Sequence, residues 1–424
     1  MWHQCHKIRS TVREVGFMLI NQLDETAIKN VRIACSTLFS EELAYDDSFI
    51  EGLSMDTVEK AYWQKAKRCY HHLTPLTPKE QATEALIDIR SSYETLATLL
   101  QEGTETTASI IKKGKIIAIG GAKGGIGKSV VAANLGVLLS AKGFKVALVD
   151  LDLGGANLHL CLGHKILLQH NINDFLKKRV SSLQEIMTRS EYGPYLIGGD
   201  SSELGAANID FGRKLKLLKA IENINSDFTI LDLGGDTSYN IIDFFLKADY
   251  GIVLTTRDSA SYIGAYHFLK AAMYRRFQRL FGPESKFRMY KNQELEKLIH
   301  EATMPVGDTG PKTINDLLER VREEQPVYFP FISEVVESFS SYLIVNKVPN
   351  RLLGNFDINP IISRIQQVTK TWLAKEVNYL GSVSQQLEIE NSMIDLVPVV
   401  SKYPKGKMAS ELSTIVARLF EQGM

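Results

Sequence analysis

The chain has 424 residues, 44% of them hydrophobic and 23% charged, with 49 Lys plus Arg against 49 Asp plus Glu. That length predicts two or three domains, and a formal net charge of zero excludes a global electrostatic drive toward nucleic acid or an anionic membrane. Cys5, Cys35, Cys69 and Cys161 lie far apart, with no CxxC and no His/Cys pair at metal spacing, which argues against a zinc site or a disulfide framework and for a reducing compartment.

The N-terminal stretch MWHQCHKIRSTVREVGF lacks the apolar region and small-residue cleavage site of a secretory signal. The chain contains no apolar run of about 20 residues, so no membrane-spanning helix is expected. These features predict a cytoplasmic protein. Residues 1–100 show helical periods and almost no strand pattern. Val58, Ala61, Tyr62, Ala66 and Cys69 mark one apolar face, and Ala82, Ala85, Leu86, Ile89, Tyr93 and Leu96 another. Thr77 as N-cap, Pro78 in the first turn and Glu80 as capping box start the second helix. The result is a helical hairpin within a helical N-terminal module. Residues 101–114 are small and polar and read as a linker.

From residue 115 to 424, short β-branched runs alternate with helical stretches. Strands are expected over Lys115–Ile119, Lys145–Val149, Tyr195–Ile197, Phe228–Leu231, Gly251–Thr255, Tyr342–Val345, Tyr379–Val383 and Leu396–Val399. Continuous apolar runs fit parallel strands buried on both faces, so the fold class is α/β with a doubly wound, mostly parallel sheet. Residues 270–335 interrupt the alternation and read as a mainly helical insertion. Within it, Arg275, Arg276, Arg279, Lys286, Arg288 and Lys291 form a basic cluster, most simply a solvated helix face, with nucleic acid, lipid headgroups and an acidic partner as alternatives. The last helix, with Leu412, Ile415, Val416, Leu419 and Phe420 on one stripe, is expected to pack on the sheet.

The chemistry concentrates where the first strand ends. Gly120-Gly121-Ala122-Lys123-Gly124-Gly125-Ile126-Gly127-Lys128-Ser129 lies between a strand and a helix. A triphosphate needs closely spaced backbone N–H donors, and glycines at 124, 125 and 127 let the chain curl around phosphate without Cβ clashes. The helix start adds its positive dipole end. Lys128 can reach the β- and γ-phosphates, and the Ser129 hydroxyl can ligate Mg²⁺. Gly124, Gly125, Ile126, Gly127, Lys128, Ser129 and Val130 are therefore the expected nucleotide-binding residues.

The K-G-G-x-G-K-[ST] segment resembles the deviant Walker A motif of the MinD/ParA family of P-loop ATPases. The resemblance implies that Lys123 reaches across an ATP-bound homodimer to the partner's phosphates. Asp150-Leu151-Asp152 followed by Asn157 resembles the family's switch I, which implies that Asp152 orients the attacking water and that Asp150 lies near Mg²⁺. Asp232-Leu233-Gly234-Gly235 resembles switch II, which implies that Asp232 holds Mg²⁺ through water. Leu343-Ile344-Val345-Asn346-Lys347 looks like the strand whose asparagine, here Asn346, reads adenine. Where the family usually has glycine after switch II, this chain has Asp236; its carboxylate turns either to solvent or Mg²⁺, or to a base such as Lys123 or Arg257.

The resemblance spans about 115–270 and 340–421 and is nearest to the MinD-like flagellar-number regulators (FlhG), through Gly251–Thr256, Ala265–Lys270 and the closing Tyr403-Pro404. It implies a slow ATPase that uses ATP and Mg²⁺, dimerises with ATP and positions or regulates a protein partner that stimulates hydrolysis. Peripheral attachment at the inner membrane stays open, although no clear targeting tail follows the last helix, and nucleic acid is not indicated. The alternatives are a nucleotide-binding scaffold that does not hydrolyse and an ATP-dependent metabolic ligase on the same fold. Residues 45–100 resemble a degenerate J-domain. Glu59–Trp63 and Arg90–Leu96 echo its two long helices, while His71-His72-Leu73 replaces the His-Pro-Asp signature. A docking module without chaperone stimulation is expected, an unrelated hairpin being the alternative.

Overall fold

The structure, a computed structural model, describes residues 23–71, 88–89, 91–93, 95–100, 114–165, 168–199, 209–281, 292–303, 313–349 and 357–422. The chain divides into two compact units, Met1–Ile111 and Lys112–Met424. In the first, Asp24, Ser40 and Asp46 accept backbone N–H groups at the starts of Glu25–Leu38, Glu41–Ala44 and Asp47–Glu51, so each short helix begins at a capping side chain. The helix Met55–His71 buries Val58 and Tyr62, and the Tyr62 ring packs 4.9 Å from that of Tyr93 in the helical stretch 91–93. That contact joins the two apolar faces read from the sequence. The Thr77 capping box falls outside the described residues.

In the second unit the described residues form one eight-stranded sheet in the order β3-β4-β2-β5-β1-β6-β7-β8. The strands are β1 (Lys115–Gly120), β2 (Val146–Leu151), β3 (Thr188–Arg189), β4 (Tyr195–Ile197), β5 (Phe228–Leu233), β6 (Tyr250–Thr255), β7 (Ser341–Val348) and β8 (Asn378–Ser384). All neighbours pair in parallel except β3 with β4. Alternation along each strand divides the core in two. Ile116 and Ala118 face the layer of helices Phe211–Glu222, Tyr239–Phe245 and Ser259–Gln278, whereas Ile117 and Ile119 face the helices Lys128–Ala141 and Lys407–Glu421. The sheet is therefore buried on both faces.

Two expectations fail. The run Leu396–Val399 is not a strand: Leu396 is the left-handed cap of the helix Leu387–Asp395, and Pro398 opens the short helix Val399–Lys402. The basic cluster is not simply a solvated face. Arg275 grips the buried Asp243 carboxylate at 2.8 and 3.0 Å, Arg279 reaches it at 3.1 Å, and Lys214 also pairs with it. Arg276 donates to the Ser338 carbonyl. Lys286, Arg288 and Lys291 fall outside the described residues.

The interrupting segment is helical, over Gln293–Thr303, Ile314–Glu324 and Phe329–Glu337. It buries Leu295, Leu298, Leu317, Val321 and Ile332 in the same core that the strands share. The last helix buries Leu412, Ile415, Val416 and Leu419 against the opposite face, while Phe420 stays at the margin beside Phe144 and Phe228. Among the described residues no helix is long and apolar enough to cross a membrane.

Candidate nucleotide site

At the carboxyl ends of the strands, beside the crossover from β1, a cleft of about 510 Å³ opens, the place where ligands enter sheets of this kind. Its wall begins with the loop after β1. Gly125 and Gly127 adopt left-handed φ values of 72° and 93°, which a Cβ would disfavour. At Gly127 a Cβ would also meet the Asn346 Nδ2 at 2.4 Å. Nothing approaches the Cβ positions of Gly124 and Gly125 within 4 Å. The loop thus lies tight against β7 on one side and open on the other.

Lys128, Ser129 and Val130 line the cleft where the helix Lys128–Ala141 starts, whereas the Ile126 side chain turns into the core. The Lys128 ammonium is nearly buried and donates to the Lys123 carbonyl at 3.2 Å. Burial pulls its pKa down, opposed by the negative charges of Asp232, Asp152 and Asp236. The amine thus faces three carboxylates, whose pull is smaller than the effect of burial. Lys123 leaves the loop in another direction, its Nζ 3.1 Å from Asp258 Oδ1.

The parallel register of β2 with β5 places Asp150 opposite Asp232. Both are 1% exposed. The Asp150 oxygens accept the N–H groups of Asp152 (3.2 Å) and Leu158 (3.1 Å). Neither Asp232 oxygen makes a well-aligned hydrogen bond among the described residues, although the Ser129 hydroxyl is close enough to favour its charged form. Burial pushes both carboxyls up; the charge of Asp232 raises Asp150 further, and that of Asp152 raises Asp232. Burial, Asp232 and Asp150 also hold the Cys161 thiol up at about 12, so this cysteine on the cleft wall is not a thiolate.

An orphaned, buried carboxylate beside a hydroxyl suits a divalent cation. No group of three or more His, Cys, Asp and Glu among the described residues is arranged to hold a metal. Mg²⁺ that takes most of its ligands from phosphate and water needs only one or two carboxylates. Ser129, Asp150 and Asp232 fit that ion.

Asp152 follows β2 and lines the cleft half-buried, its carboxylate facing the backbone of Gly155 and Gly234. Asp236 is exposed, and its carboxylate accepts the Ser238 N–H at 2.6 Å, just before the helix Tyr239–Phe245. Between them Gly235 comes so close to the loop that a Cβ there would lie 2.8 Å from the Gly124 nitrogen. Asn346 lines the cleft, but its Nδ2 donates to the Ile126 carbonyl at 2.7 Å, leaving Oδ1 and one N–H for a base. Across the cleft stand Ile389 and Met393 of the helix Leu387–Asp395. Reasoning from the sequence did not find the bracing of the loop by Asn346 and Lys347, the close approach of Gly235, or Asp258. Only the third had a local sign, an aspartate three residues before Ser261 at a helix start.

A family described as CbiA, the CobQ/CobB/MinD/ParA nucleotide binding domain, matches residues 117–399, more than half of the chain. The chain belongs to this family. Among curated relatives of this CbiA-type chain, the flagellum site-determining protein YlxH of Helicobacter pylori is 36% identical over 158 residues, 37% of this chain and 53% of its own length. The antiactivator FleN of Pseudomonas aeruginosa is 25% identical over 158 residues, 37% of this chain and 55% of its own. The chain spans about half the length of the curated relatives it matches. Among solved structures, the MinC:MinD cell division protein complex of Aquifex aeolicus superposes with a TM-score of 0.48 at 17% identity, covering 72% of this chain and 96% of that one.

Proposed function

We propose that this CbiA-type chain is an ATP-driven molecular switch that hydrolyses ATP slowly and regulates or positions a protein partner. The observation that carries the reading is the buried Asp150–Asp232 pair, with Asp232 beside the Ser129 hydroxyl at the end of a glycine loop that opens on the cleft. The relatives named for flagellum placement and antiactivation support a regulatory role.

Gly124, Gly125, Ile126, Gly127, Ser129 and Val130 bind the phosphates through the loop and the helix start, and Lys128 turns from the Lys123 carbonyl to their negative charge. Ser129, Asp150 and Asp232 would hold Mg²⁺, which neutralises charge on the terminal phosphates. Asn346 offers Oδ1 to the exocyclic amine of adenine; the O6 of guanine would meet it oxygen to oxygen. Asp152 orients the attacking water. Lys123 exchanges Asp258 for the phosphates of a second copy, which makes the dimer conditional on ATP.

Calorimetric titration of the full chain with Mg²⁺ and a non-hydrolysable ATP analogue tests the site. Lys128→Ala is expected to lose detectable binding with an unchanged melting temperature; wild-type affinity in that variant overturns the assignment. Light scattering with ADP and with the analogue tests the switch, and equal mass in both removes it. The alternative of a scaffold that never hydrolyses rests on Asp236. Its hydrogen bond with the Ser238 N–H at the surface favours turnover, because one of its carboxylate oxygens is engaged outside the phosphate loop.

A further inference from the structure

Along a β-strand, successive side chains point to opposite faces, so Asn346 and Lys347 should diverge. They do not. Asn346 Nδ2 donates to the Ile126 carbonyl at 2.7 Å and Lys347 Nζ donates to the Gly125 carbonyl at 2.8 Å, so both reach the same loop, more than 200 residues away in sequence. The cause lies in the backbone of β7. Between the pairs Val345↔Ser382 and Val348↔Ser384, β7 holds one residue more than β8, which is a bulge. Lys347 in that bulge has φ of 54°, in the left-handed region that a residue with a Cβ rarely adopts. A bulge re-aims a side chain, and here it brings an ammonium to the loop and to the cleft wall.

A trans peptide holds its C=O and N–H on opposite sides of one plane. A donor on the Gly125 carbonyl therefore fixes the direction of the Ile126 N–H, as a donor on the Ile126 carbonyl fixes that of Gly127. We propose that Lys347 is a positioning residue for the nucleotide's phosphates: the β7 bulge delivers its amine to the Gly125 carbonyl, which aims the Ile126 N–H into the phosphate cradle. The assignment rests on the nucleotide-switch reading above and adds a cation to the loop's machinery that its own sequence does not contain. Because the hydrogen bond is charge-assisted, its loss disorders a donor that every bound phosphate needs.

The test titrates the full chain and three variants with a non-hydrolysable Mg-ATP analogue, Mg-ADP and adenosine. Lys347→Ala is expected to weaken both nucleotides by about tenfold and to leave adenosine unchanged. Lys347→Arg, which can still donate, restores most of the affinity. Lys347→Gly relaxes the left-handed backbone yet lacks the amine, so it behaves as Lys347→Ala does and keeps the test readable if the alanine variant does not fold. Wild-type binding by Lys347→Gly overturns the role of the amine, and an equal loss for adenosine overturns the phosphate aim. If the wild type binds but all three variants match it, Lys347 alone is misassigned; if the wild type binds no nucleotide, the switch reading falls and this inference with it.

Discussion

Lys123 and Asp258 meet at 3.1 Å across 135 positions of sequence, and the meeting point is the start of the helix Ser259–Gln278. Asp258 also accepts hydrogen bonds from the Thr256 and Ser261 hydroxyls and from the Ser261 N–H. The two hydroxyls, and after them Lys123, hold its carboxyl well below the usual range. Both members of the pair are about half exposed, so the pair itself contributes at most about 1 kcal/mol. A contact that weak can be exchanged for a better one.

The first expectation follows from that exchange. Asp258→Asn keeps a side chain able to cap the helix but withdraws the charge that holds Lys123. Dimerisation with an ATP analogue should then strengthen several-fold, roughly what 1 kcal/mol allows, with little change in melting temperature. Sedimentation over a concentration series would show this, and an unchanged monomer–dimer midpoint would count against Lys123 as the trans-acting residue.

Asp232→Asn should stabilise the nucleotide-free protein while destroying its use of Mg²⁺. The folded carboxyl is raised above its unfolded value by burial, so the protonated form is favoured in the fold. Stability linked to this group is complete below the unfolded pKa and is lost as pH rises through the folded one. In EDTA the wild type's melting temperature should fall as pH rises across that window, and the Asn variant should fall less. At the alkaline end the variant gains about 1–3 kcal/mol, the desolvation cost of an unpaired buried group. Parallel melting curves for the two proteins would show that Asp232 is not titrating.

Gly235→Ala and Gly124→Ala should separate cleanly. A Cβ at 235 meets loop backbone at 2.8–3.0 Å, whereas at 124 it meets nothing within 4 Å. The first substitution must push the segment after β5 away from the loop, at about 1–3 kcal/mol, and should weaken nucleotide binding. The second should leave the nucleotide-free melting temperature unchanged. A thermal melt of each protein decides the matter, and equal melting temperatures would contradict the close approach.

Turnover separates the two remaining acids. Asp152→Ala should abolish phosphate release while analogue binding persists, because this half-buried carboxylate faces Gly234 within the cleft. Asp236→Gly should raise the intrinsic rate, since it removes a negative charge whose field reaches Lys128. Loss of turnover in Asp236→Gly would transfer the water-orienting role from Asp152 to Asp236.

The parts of this site that the sequence displays are those that chemistry forces into consecutive positions. Glycines that must take left-handed φ, a lysine and a hydroxyl can only serve a phosphate from one short loop, so Gly124 to Ser129 is readable as a unit. Asp150 and Asp232 are legible through the resemblance of their segments to switch I and switch II, and parallel pairing sets them side by side. Asn346 and Lys347 act on the loop through a bulge, and a bulge depends on how β7 and β8 pair, which no local pattern encodes. Leu396–Val399 misled because an apolar stretch this short is as apt to cap helices as to form a strand. The two-residue β3 is too short to carry any period.

Asp243 sits one helix turn into the segment that follows Asp236, and three cations from two other helices close on its single carboxylate. Two of those cations, Arg275 and Arg279, stand at the end of the helix that leads into residues 293–337. The extra helices are thus coupled mechanically in series with the segment closest to the phosphate loop, through a joint shielded from solvent. Salt screens exposed charge pairs far more than buried ones. The buried joint between the helix that leads into those residues and the segment after Asp236 should therefore hold at cellular ionic strength.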